Sequence, residues 1–224
     1  MDDVHLHRWG SPRTTATVAV LAVHGRGQNP AVMQEYSSHL QARGVNYFAP
    51  RAAGDSWYPE PFLVPFSLNE KDVGSGLDVV DNVLDQLRIE GFDPRRTVLW
   101  GFSQGACLLS HHLLTRRPQV GGALLFTGGY VGAELLEVPA GSELSGLPII
   151  VRSIEHDPWV PPWRVEQTVV LLRALGAQVD LRIAPGGDHI ITDEAYSAAD
   201  RLLERLGATP DSPSSRRSDL GGRL

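Results

Sequence analysis

The chain has 224 residues, of which 42% are hydrophobic and 21% are charged, and its formal net charge is −6. This length suits one well-buried domain, and the composition excludes wholesale disorder and a fibrous repeat. The negative charge, together with arginines that are scattered along the chain, argues against a nucleic-acid surface.

The first eight residues and the cysteine content bear on the cellular compartment. Acidic and histidine residues stand where a secretory signal needs a basic segment followed by an apolar run. No apolar stretch approaches the roughly 18 residues that a membrane span requires. Cys107 is the only cysteine, so an internal disulfide is impossible and a reducing compartment is the simpler expectation. We therefore expect a soluble cytoplasmic protein.

Short apolar runs alternate with segments of helical periodicity between residues 17 and 206. The runs are rich in Val, Leu and Ile and predict strands buried on both faces, at 17–23, 45–49, 97–102, 123–127, 148–154 and 179–184. Apolar residues at helical spacing predict helices across 73–87, 165–172 and 196–206. This alternation indicates an α/β fold with a mainly parallel central sheet and helices on both faces. Such sheets bind ligands at the carboxyl ends of their strands.

The chain divides into three predicted segments. Residues 1–16 are an N-terminal segment with a candidate edge strand, and residues 17–207 form the α/β domain. Residues 208–224 are rich in Pro, Ser, Arg and Gly and carry too little apolar surface to offset the entropy of ordering. They predict a disordered tail.

Residues 97–109 combine an apolar strand, the motif Gly-x-Ser-x-Gly and a plausible helix. A nucleophilic serine at a sharp strand-to-helix turn needs small neighbours, here Gly101 and Gly105, because other backbone passes close by. The turn also aims backbone N–H groups and the positive end of the helix at an anion forming above the serine. In this context the motif predicts Ser103 as a catalytic nucleophile, and an ordinary glycine-rich turn is the alternative.

Serine is a poor nucleophile at neutral pH and needs a general base that is oriented by a carboxylate. His111 and His112 belong to the helix after the motif and are expected to point away, which leaves His156 and His189. His189 lies in a turn between the last predicted strand and the last helix, where an imidazole can reach over the sheet edge. Judged from the sequence of this loop alone, an ordinary surface histidine is as good an interpretation of His189 as a catalytic base.

Three carboxylates compete for the role of the acid: Glu155, Asp157 and Asp188. Asp157 follows directly after a predicted strand, again at a carboxyl end. Asp188 is adjacent in sequence to His189 and would reach that imidazole only with poor geometry. Asp157 is therefore the predicted acid, and the resulting order of serine, acid and histidine along the chain is the one that α/β hydrolases use.

A buried strand ends in the glycine-flanked loop His24-Gly25-Arg26-Gly27. In enzymes with this order of catalytic residues, one oxyanion donor is the backbone N–H after the nucleophile, here Gln104. The second donor comes from the loop after an early strand and is predicted to be the backbone N–H of Arg26. A tight turn that needs glycine explains the same residues and is compatible with that role. No Lys-Ser or Lys-Thr follows, so a phosphate-binding loop is poorly supported.

Large apolar side chains follow several predicted strands, in loops where they could line a substrate pocket or simply seal the core. They are Trp57, Tyr58, Phe62, Leu63, Phe66, Trp159 and Trp163. We favour Trp57 and Trp159 as substrate-binding residues because they neighbour the loops of the predicted site. Cys107, one helical turn beyond Ser103, is predicted to be a small buried packing residue.

Four segments resemble the phospholipase/carboxylesterase family of α/β hydrolases, which includes acyl-protein thioesterases and small bacterial esterases. They are His24-Gly25-Arg26-Gly27, Gly101-Phe102-Ser103-Gln104-Gly105-Ala106, Asp157 with Val160-Pro161, and Gly187-Asp188-His189. The stretch from Pro50 to Pro59 also resembles bacterial esterases of that family. The resemblance covers roughly residues 17 to 206.

The resemblance implies an α/β-hydrolase fold and hydrolysis of carboxylic esters or thioesters without a metal or other cofactor. It implies that Ser103, Asp157 and His189 form a catalytic triad. It also implies that the substrate is a small-molecule ester and that the protein is a monomer or a homodimer. Arg26 stands where many thioesterase members carry leucine, and the loop at 60–70 is short, which makes lipid-bearing protein substrates less expected. Dienelactone hydrolases share the fold but carry cysteine at the nucleophile position.

Two alternatives to an esterase stay open on the sequence. One is a catalytically silent protein of this fold that binds a ligand, although such relatives usually lack one of the three catalytic residue types. The other is a peptidase, which is weaker because no peptide-binding domain or lid is apparent.

Overall fold

A seven-stranded sheet organises the computed structural model, which describes residues 6–208. The strands are β1 (Leu6–Gly10), β2 (Val18–Val23), β3 (Val45–Pro50), β4 (Thr97–Phe102), β5 (Gly122–Phe126), β6 (Pro148–Ile154) and β7 (Gln178–Ala184). Their order across the sheet is β1-β3-β2-β4-β5-β6-β7. Only β1 runs antiparallel to its neighbour, and every other pairing is parallel.

Helices cover both faces of the sheet. They are α1 (Pro30–Ser37), α2 (Glu70–Ile89), α3 (Gln104–Thr115), α4 (Pro162–Ala174) and α5 (Asp193–Gly207). Helices α2, α3 and α4 pack on one face in a core that includes Val80, Leu108 and Val169, whereas α1 and α5 contribute Met33 and Leu202 to the core on the other face. The two cores bury alternate residues of the central strands, as a doubly covered parallel sheet requires. The predicted α/β-hydrolase fold is confirmed.

Helix α1 has no counterpart among the predicted elements, β1 lies within residues 1–16, where the sequence offered only a candidate edge strand, and β7 differs from its prediction. Strand β1 is largely exposed, and its sequence lacks the apolar run that marks the buried strands. Helix α1 has eight residues, and the signal for it was local: Pro30 in the first turn and Asn29 as an N-cap that accepts from the N–H of Ala31. Strand β7 was predicted as buried on both faces but alternates between exposed and half-buried residues, because it is the edge strand of the sheet.

Some predictions about the chain ends lie outside the described residues. Residues 1–5 and 209–224 fall there, including all of the predicted tail except Ala208. Among residues 6–208, no helix has the length and apolar character needed to cross a membrane. The cytoplasmic location stays a prediction from the sequence.

A buried arginine fixes the edge of the sheet next to the predicted site. The Arg152 side chain in β6 donates to Asp180 of β7 at 2.8 Å and to Glu194 in the first turn of α5 at 2.7 Å. Arg152 is buried, and both carboxylates are partly exposed. This ion-pair network holds together β6, β7 and α5, the elements that border the loops carrying Asp157 and His189.

Candidate active site

Every predicted catalytic residue lies at the carboxyl end of a parallel strand. Arg26 follows β2, Ser103 follows β4, Asp157 follows β6, and His189 lies in the loop after β7. Because β2, β4, β6 and β7 all run in the same direction, their ends meet along one edge of the sheet. Chain segments far apart in sequence are thereby brought to one cleft.

Ser103 occupies a strained turn between β4 and α3. Its φ is 54° and its ψ is −122°, a combination that non-glycine residues rarely adopt. Holding a residue in such a region costs on the order of 1–3 kcal/mol, which the surrounding structure must supply. The turn leaves the side chain half-buried at the cleft, immediately before the N-terminus of α3. This is the geometry expected for a nucleophile elbow.

The two glycines of the motif are required because backbone crowds against them. A Cβ on Gly105 would lie 2.1 Å from the carbonyl oxygen of Val23, and one on Gly101 would lie 2.7 Å from the Cα of Ala106. Both distances are far inside van der Waals contact. The Gly-x-Ser-x-Gly motif therefore allows α3 to pass against the ends of β2 and β4.

We expect Gly105→Ala to lower the free energy of unfolding by about 1–3 kcal/mol or more, which is the usual range for overpacking. The variant should also lower activity, because it displaces the turn that carries Ser103. Gly74→Ala is the matched control because a Cβ there meets no atom within 4 Å and Gly74 lies inside α2. It should stabilise the helix by about 0.5–1 kcal/mol. The free energy of unfolding in urea measures both changes. Equal stability of the two variants would contradict the crowding at Gly105.

His189 and Asp157 form a hydrogen-bonded pair. Nδ1 of His189 lies 2.7 Å from Oδ2 of Asp157, and the carboxyl group is buried. The other carboxylate oxygen, Oδ1, accepts hydrogen bonds from the backbone N–H groups of Trp159 at 2.8 Å and Val160 at 2.9 Å. These contacts fix the orientation of the carboxylate. With the proton on Nδ1, the Nε2 atom of a neutral His189 carries a free electron pair.

The environment keeps Asp157 ionised. Burial favours the neutral acid, but the hydrogen bonds from His189 and from the Val160 and Trp159 N–H groups outweigh burial, so the pKa of Asp157 lies below its usual value. A carboxylate in this position holds the imidazole in one tautomer and stabilises its protonated form.

Nε2 of His189 is buried and has no hydrogen-bond partner among residues 6–208. The His189 ring packs against Phe102, with ring centroids 5.0 Å apart, and His189 lines the same cavity as Ser103. The free ring nitrogen is thus available within the cleft that contains the serine hydroxyl. Nε2 makes no hydrogen bond to the Ser103 hydroxyl in this structure, so a general-base role would require the two groups to close to about 2.6–3.2 Å, as catalytic groups often do only with substrate bound.

The competing histidines and carboxylates are engaged elsewhere or exposed. His112 bonds to Asp81 at 2.7 Å, and His111 stacks on Phe66 with centroids 4.9 Å apart. Burial, and to a smaller extent the neighbouring His112, lowers the pKa of His111 to about 4. The other candidates for the acid and the base are exposed, and their side chains make no hydrogen bond within the described part of the chain. They are Glu155, His156 and Asp188.

The loop after β2 approaches the nucleophile closely. A Cβ on Gly25 would lie 3.2 Å from the Cβ of Ser103. Within residues 6–208, neither the Arg26 nor the Gln104 backbone N–H donates a hydrogen bond to the protein. Both residues line the cavity together with Ser103. Two unpaired backbone donors near the serine fit the predicted oxyanion site.

His24 braces this loop in a neutral form. Its Nε2 accepts from the N–H of Ala52 at 3.1 Å, so its Nδ1 carries the proton and donates to the Gly25 carbonyl at 2.8 Å. Burial lowers the pKa of His24, against the opposing effect of the Gly25 carbonyl. The histidine in the His-Gly-Arg-Gly motif is therefore a structural link between the ends of β2 and β3.

A cavity of about 570 Å³ opens above Ser103. Its walls are mainly apolar, with few polar groups, and are formed by Gly25, Arg26, Gln28, Tyr58, Pro59, Pro61, Phe62, Phe102, Ser103, Gln104, Cys107, Trp159, Val160 and His189. The volume falls within the range of small-molecule sites. In the described part of the chain, no three His, Cys, Asp or Glu side chains converge to hold a metal ion.

The two tryptophans favoured from the sequence differ in position. Trp159 lines the cavity and is 71% exposed, so its indole stands at the mouth of the cleft. Trp57 does not line the cavity; it is 5% exposed, belongs to the core and donates from Nε1 to the His24 carbonyl at 2.8 Å. Tyr58 and Phe62, which the sequence did not single out above their neighbours, line the cavity instead.

Comparison with known proteins agrees with this architecture. A family model described as phospholipase/carboxylesterase matches residues 8–206. A phospholipase/carboxylesterase from Dyadobacter fermentans superposes with a TM-score of 0.83 at 29% identity, over 90% of this chain and 96% of that one.

Two further solved structures share the fold at lower identity. A carboxylesterase from Bacillus cereus has a TM-score of 0.71 at 18% identity, over 90% of this chain and 93% of that one. A carboxylesterase from Mesorhizobium loti has a TM-score of 0.68 at 21% identity, over 84% of this chain and 88% of that one. With the family model covering nearly the whole described chain, the conclusion is direct: the chain belongs to the phospholipase/carboxylesterase family of α/β hydrolases.

Proposed function

We propose that this protein is a serine hydrolase that cleaves carboxylic esters or thioesters of small to medium size through an acyl-enzyme intermediate. The observation that carries the proposal is the buried Asp157–His189 pair, whose free Nε2 shares a cavity with Ser103 at a strained elbow. A nucleophile, a base and an orienting acid are the three groups that acyl transfer to serine requires.

In the first half-reaction, Ser103 Oγ bonds to the substrate carbonyl carbon as its proton passes to Nε2 of His189. The carbonyl oxygen becomes an oxyanion, held by the N–H groups of Arg26 and Gln104. The bond to the leaving group then breaks, and His189 returns the proton to the departing oxygen or sulfur. Water repeats the cycle on the acyl-enzyme, again with His189 as base, and releases the carboxylic acid and free Ser103.

The proposed substrate class follows from the walls of the cavity. Phe62 and Trp159 present aromatic surface, and no carboxylate lines the cavity. Its size and apolar walls suit a compact acyl or aryl group better than a strongly polar one. A silent ligand-binding protein of this fold is the alternative, but it would have no need of the ionised acid, the oriented base and the strained serine together.

A panel of p-nitrophenyl esters from acetate to palmitate, with an aryl ester and an acyl-CoA alongside, tests this proposal. We expect hydrolysis with the highest kcat/KM for acyl chains below about twelve carbons, because the cavity encloses only a small-molecule volume. A preference for longer chains would contradict the size assignment. Failure to hydrolyse any ester or thioester in the panel would favour the silent alternative.

A further inference from the structure

The loop after β3 contacts both residues that supply the proposed oxyanion donors. Residues 56–61 form this segment, here called the support loop. Nε2 of Gln104 donates to the carbonyl of Tyr58 at 2.8 Å. The Arg26 guanidinium donates to the next two carbonyls, to Pro59 at 2.5 Å and to Glu60 at 2.7 Å. Three consecutive carbonyls of one loop are therefore bound by the side chains of the two donor residues.

Further contacts make this attachment stiff. The Gln104 side chain is buried, and its Oε1 accepts from the N–H of Trp57 at 3.0 Å, so both ends of the amide are paired. Trp57 in turn donates from its indole to the His24 carbonyl at 2.8 Å, beside the Arg26 loop. The Arg26 guanidinium also lies over the Tyr58 ring, 5.6 Å from its centroid. A small displacement of the support loop would move both donor residues together.

Asn69 also binds the support loop. It is fully buried at the start of α2, where its Oδ1 accepts from the N–H of Glu60 at 3.0 Å and its Nδ2 donates to the Pro61 carbonyl at 3.1 Å. Asn69 does not line the cavity, so it has no direct route to a substrate. All hydrogen bonds of its side chain go to the support loop.

We propose that Arg26, Gln104 and Asn69 are positioning residues whose side chains, by clamping the support loop, align the two backbone N–H donors of the oxyanion site. The inference rests on the proposed function. Oxyanion donors act only when they lie within about 2.7–3.1 Å of the developing charge. A misplacement of about 1 Å can lower turnover by about 10². Because these donors gain strength in the transition state, a loosened clamp lowers kcat more than it raises KM.

An alternative role for Arg26 is recognition of an anionic substrate group. The contacts favour the clamp, because both terminal nitrogens of the guanidinium already donate to backbone carbonyls. The two roles differ in their kinetic signature. If Arg26 acts as a clamp, its loss lowers kcat for all esters alike. If Arg26 binds an anionic group, its loss mainly raises KM, and only for negatively charged esters.

The test compares Asn69→Ala, Arg26→Leu and Arg26→Lys with wild type, on one neutral ester and one ester bearing a carboxylate. Arg173→Leu is the matched control, since Arg173 also donates to a backbone carbonyl, Val179, at 2.9 Å but lies on α4 away from the cavity. Titration of active sites with a fluorophosphonate corrects kcat for the fraction of folded enzyme. Hydrogen exchange of residues 25–28 and 56–61 gives a readout that does not depend on activity.

We expect Asn69→Ala and Arg26→Leu to lower kcat about tenfold or more on both esters, with KM within about twofold of wild type. Arg26→Lys should recover part of the loss, because an ammonium can still donate to a carbonyl. Exchange should accelerate in both segments, and Arg173→Leu should match wild type. Since Arg26 is exposed, its variants test the clamp even if Asn69→Ala fails to fold.

Unchanged kcat in Arg26→Leu and in folded Asn69→Ala would overturn the inference, as would a KM increase confined to the carboxylate ester. A wild-type protein that hydrolyses no ester would instead refute the proposed function. An active wild type with unaffected variants refutes the clamp alone, so the two failures are distinguishable.

Discussion

Ser103→Ala is expected to lower kcat by at least about 10⁴-fold on any ester that the wild type hydrolyses, because the acyl-enzyme cannot form without the hydroxyl. The fold should persist, since serine and alanine place the same Cβ in the strained elbow conformation. Residual turnover would come from the oxyanion donors and the cavity alone. Steady-state kinetics and the thermal midpoint measure the two effects separately.

Ser110→Ala is the matched control for that variant. Ser110 lies seven residues further along, within α3, is buried, and its Oγ has no hydrogen-bond partner among the described residues. The variant removes the same hydroxyl oxygen at a position that does not line the cavity. Near-wild-type turnover of Ser103→Ala, or an equal loss in Ser110→Ala, would contradict the assignment of the nucleophile.

Asp157→Asn is expected to lower kcat by about 10⁴-fold, and the contacts of the carboxylate give the reason. Oδ1 accepts from two backbone N–H groups, so the amide oxygen of asparagine would occupy that position. The amide nitrogen would then face Nδ1 of His189 and donate to it. That reversal places the imidazole proton on Nε2, where the base can no longer accept a proton from Ser103.

Asp188→Asn is the control for Asp157→Asn, because it makes the same change in an exposed carboxylate directly beside His189 in sequence. Its kcat should stay close to that of wild type. If Asp188→Asn caused the larger loss in steady-state kinetics, the acid would have to be reassigned. A Tm measurement on both variants separates loss of chemistry from loss of fold.

The sheet and its order along the chain could be predicted because buried parallel strands leave a strong sequence signal. The observed bounds of β4 and β6 coincide with the predicted runs, since nearly all their residues are buried. Strand β1 gave no such signal, because an edge strand needs few apolar residues. The exposure of β7 was readable from its own residues, because Gln178, Asp180 and Arg182 alternate with apolar residues and are the exposed ones, but the prediction did not use this alternation.

The catalytic residue types could be predicted from motif spacing, and the structure places Asp157 and His189 in hydrogen-bond contact. Their roles, and that of Ser103, stay a prediction until they are tested. The support loop was invisible in the sequence because its contacts join side chains to distant backbone carbonyls, as in the Arg26 contact with Pro59. The inward position of Trp57 was missed for the same reason: its partner is the carbonyl of His24, 33 residues away.

Labelling of the folded protein with a fluorophosphonate, followed by mass spectrometry of the modified peptide, tests the account most directly. We predict one adduct per chain on Ser103, with no labelling of Ser103→Ala and strongly slowed labelling of Asp157→Asn. A folded wild-type protein that takes up no probe, or takes it up on a different residue, would contradict the account.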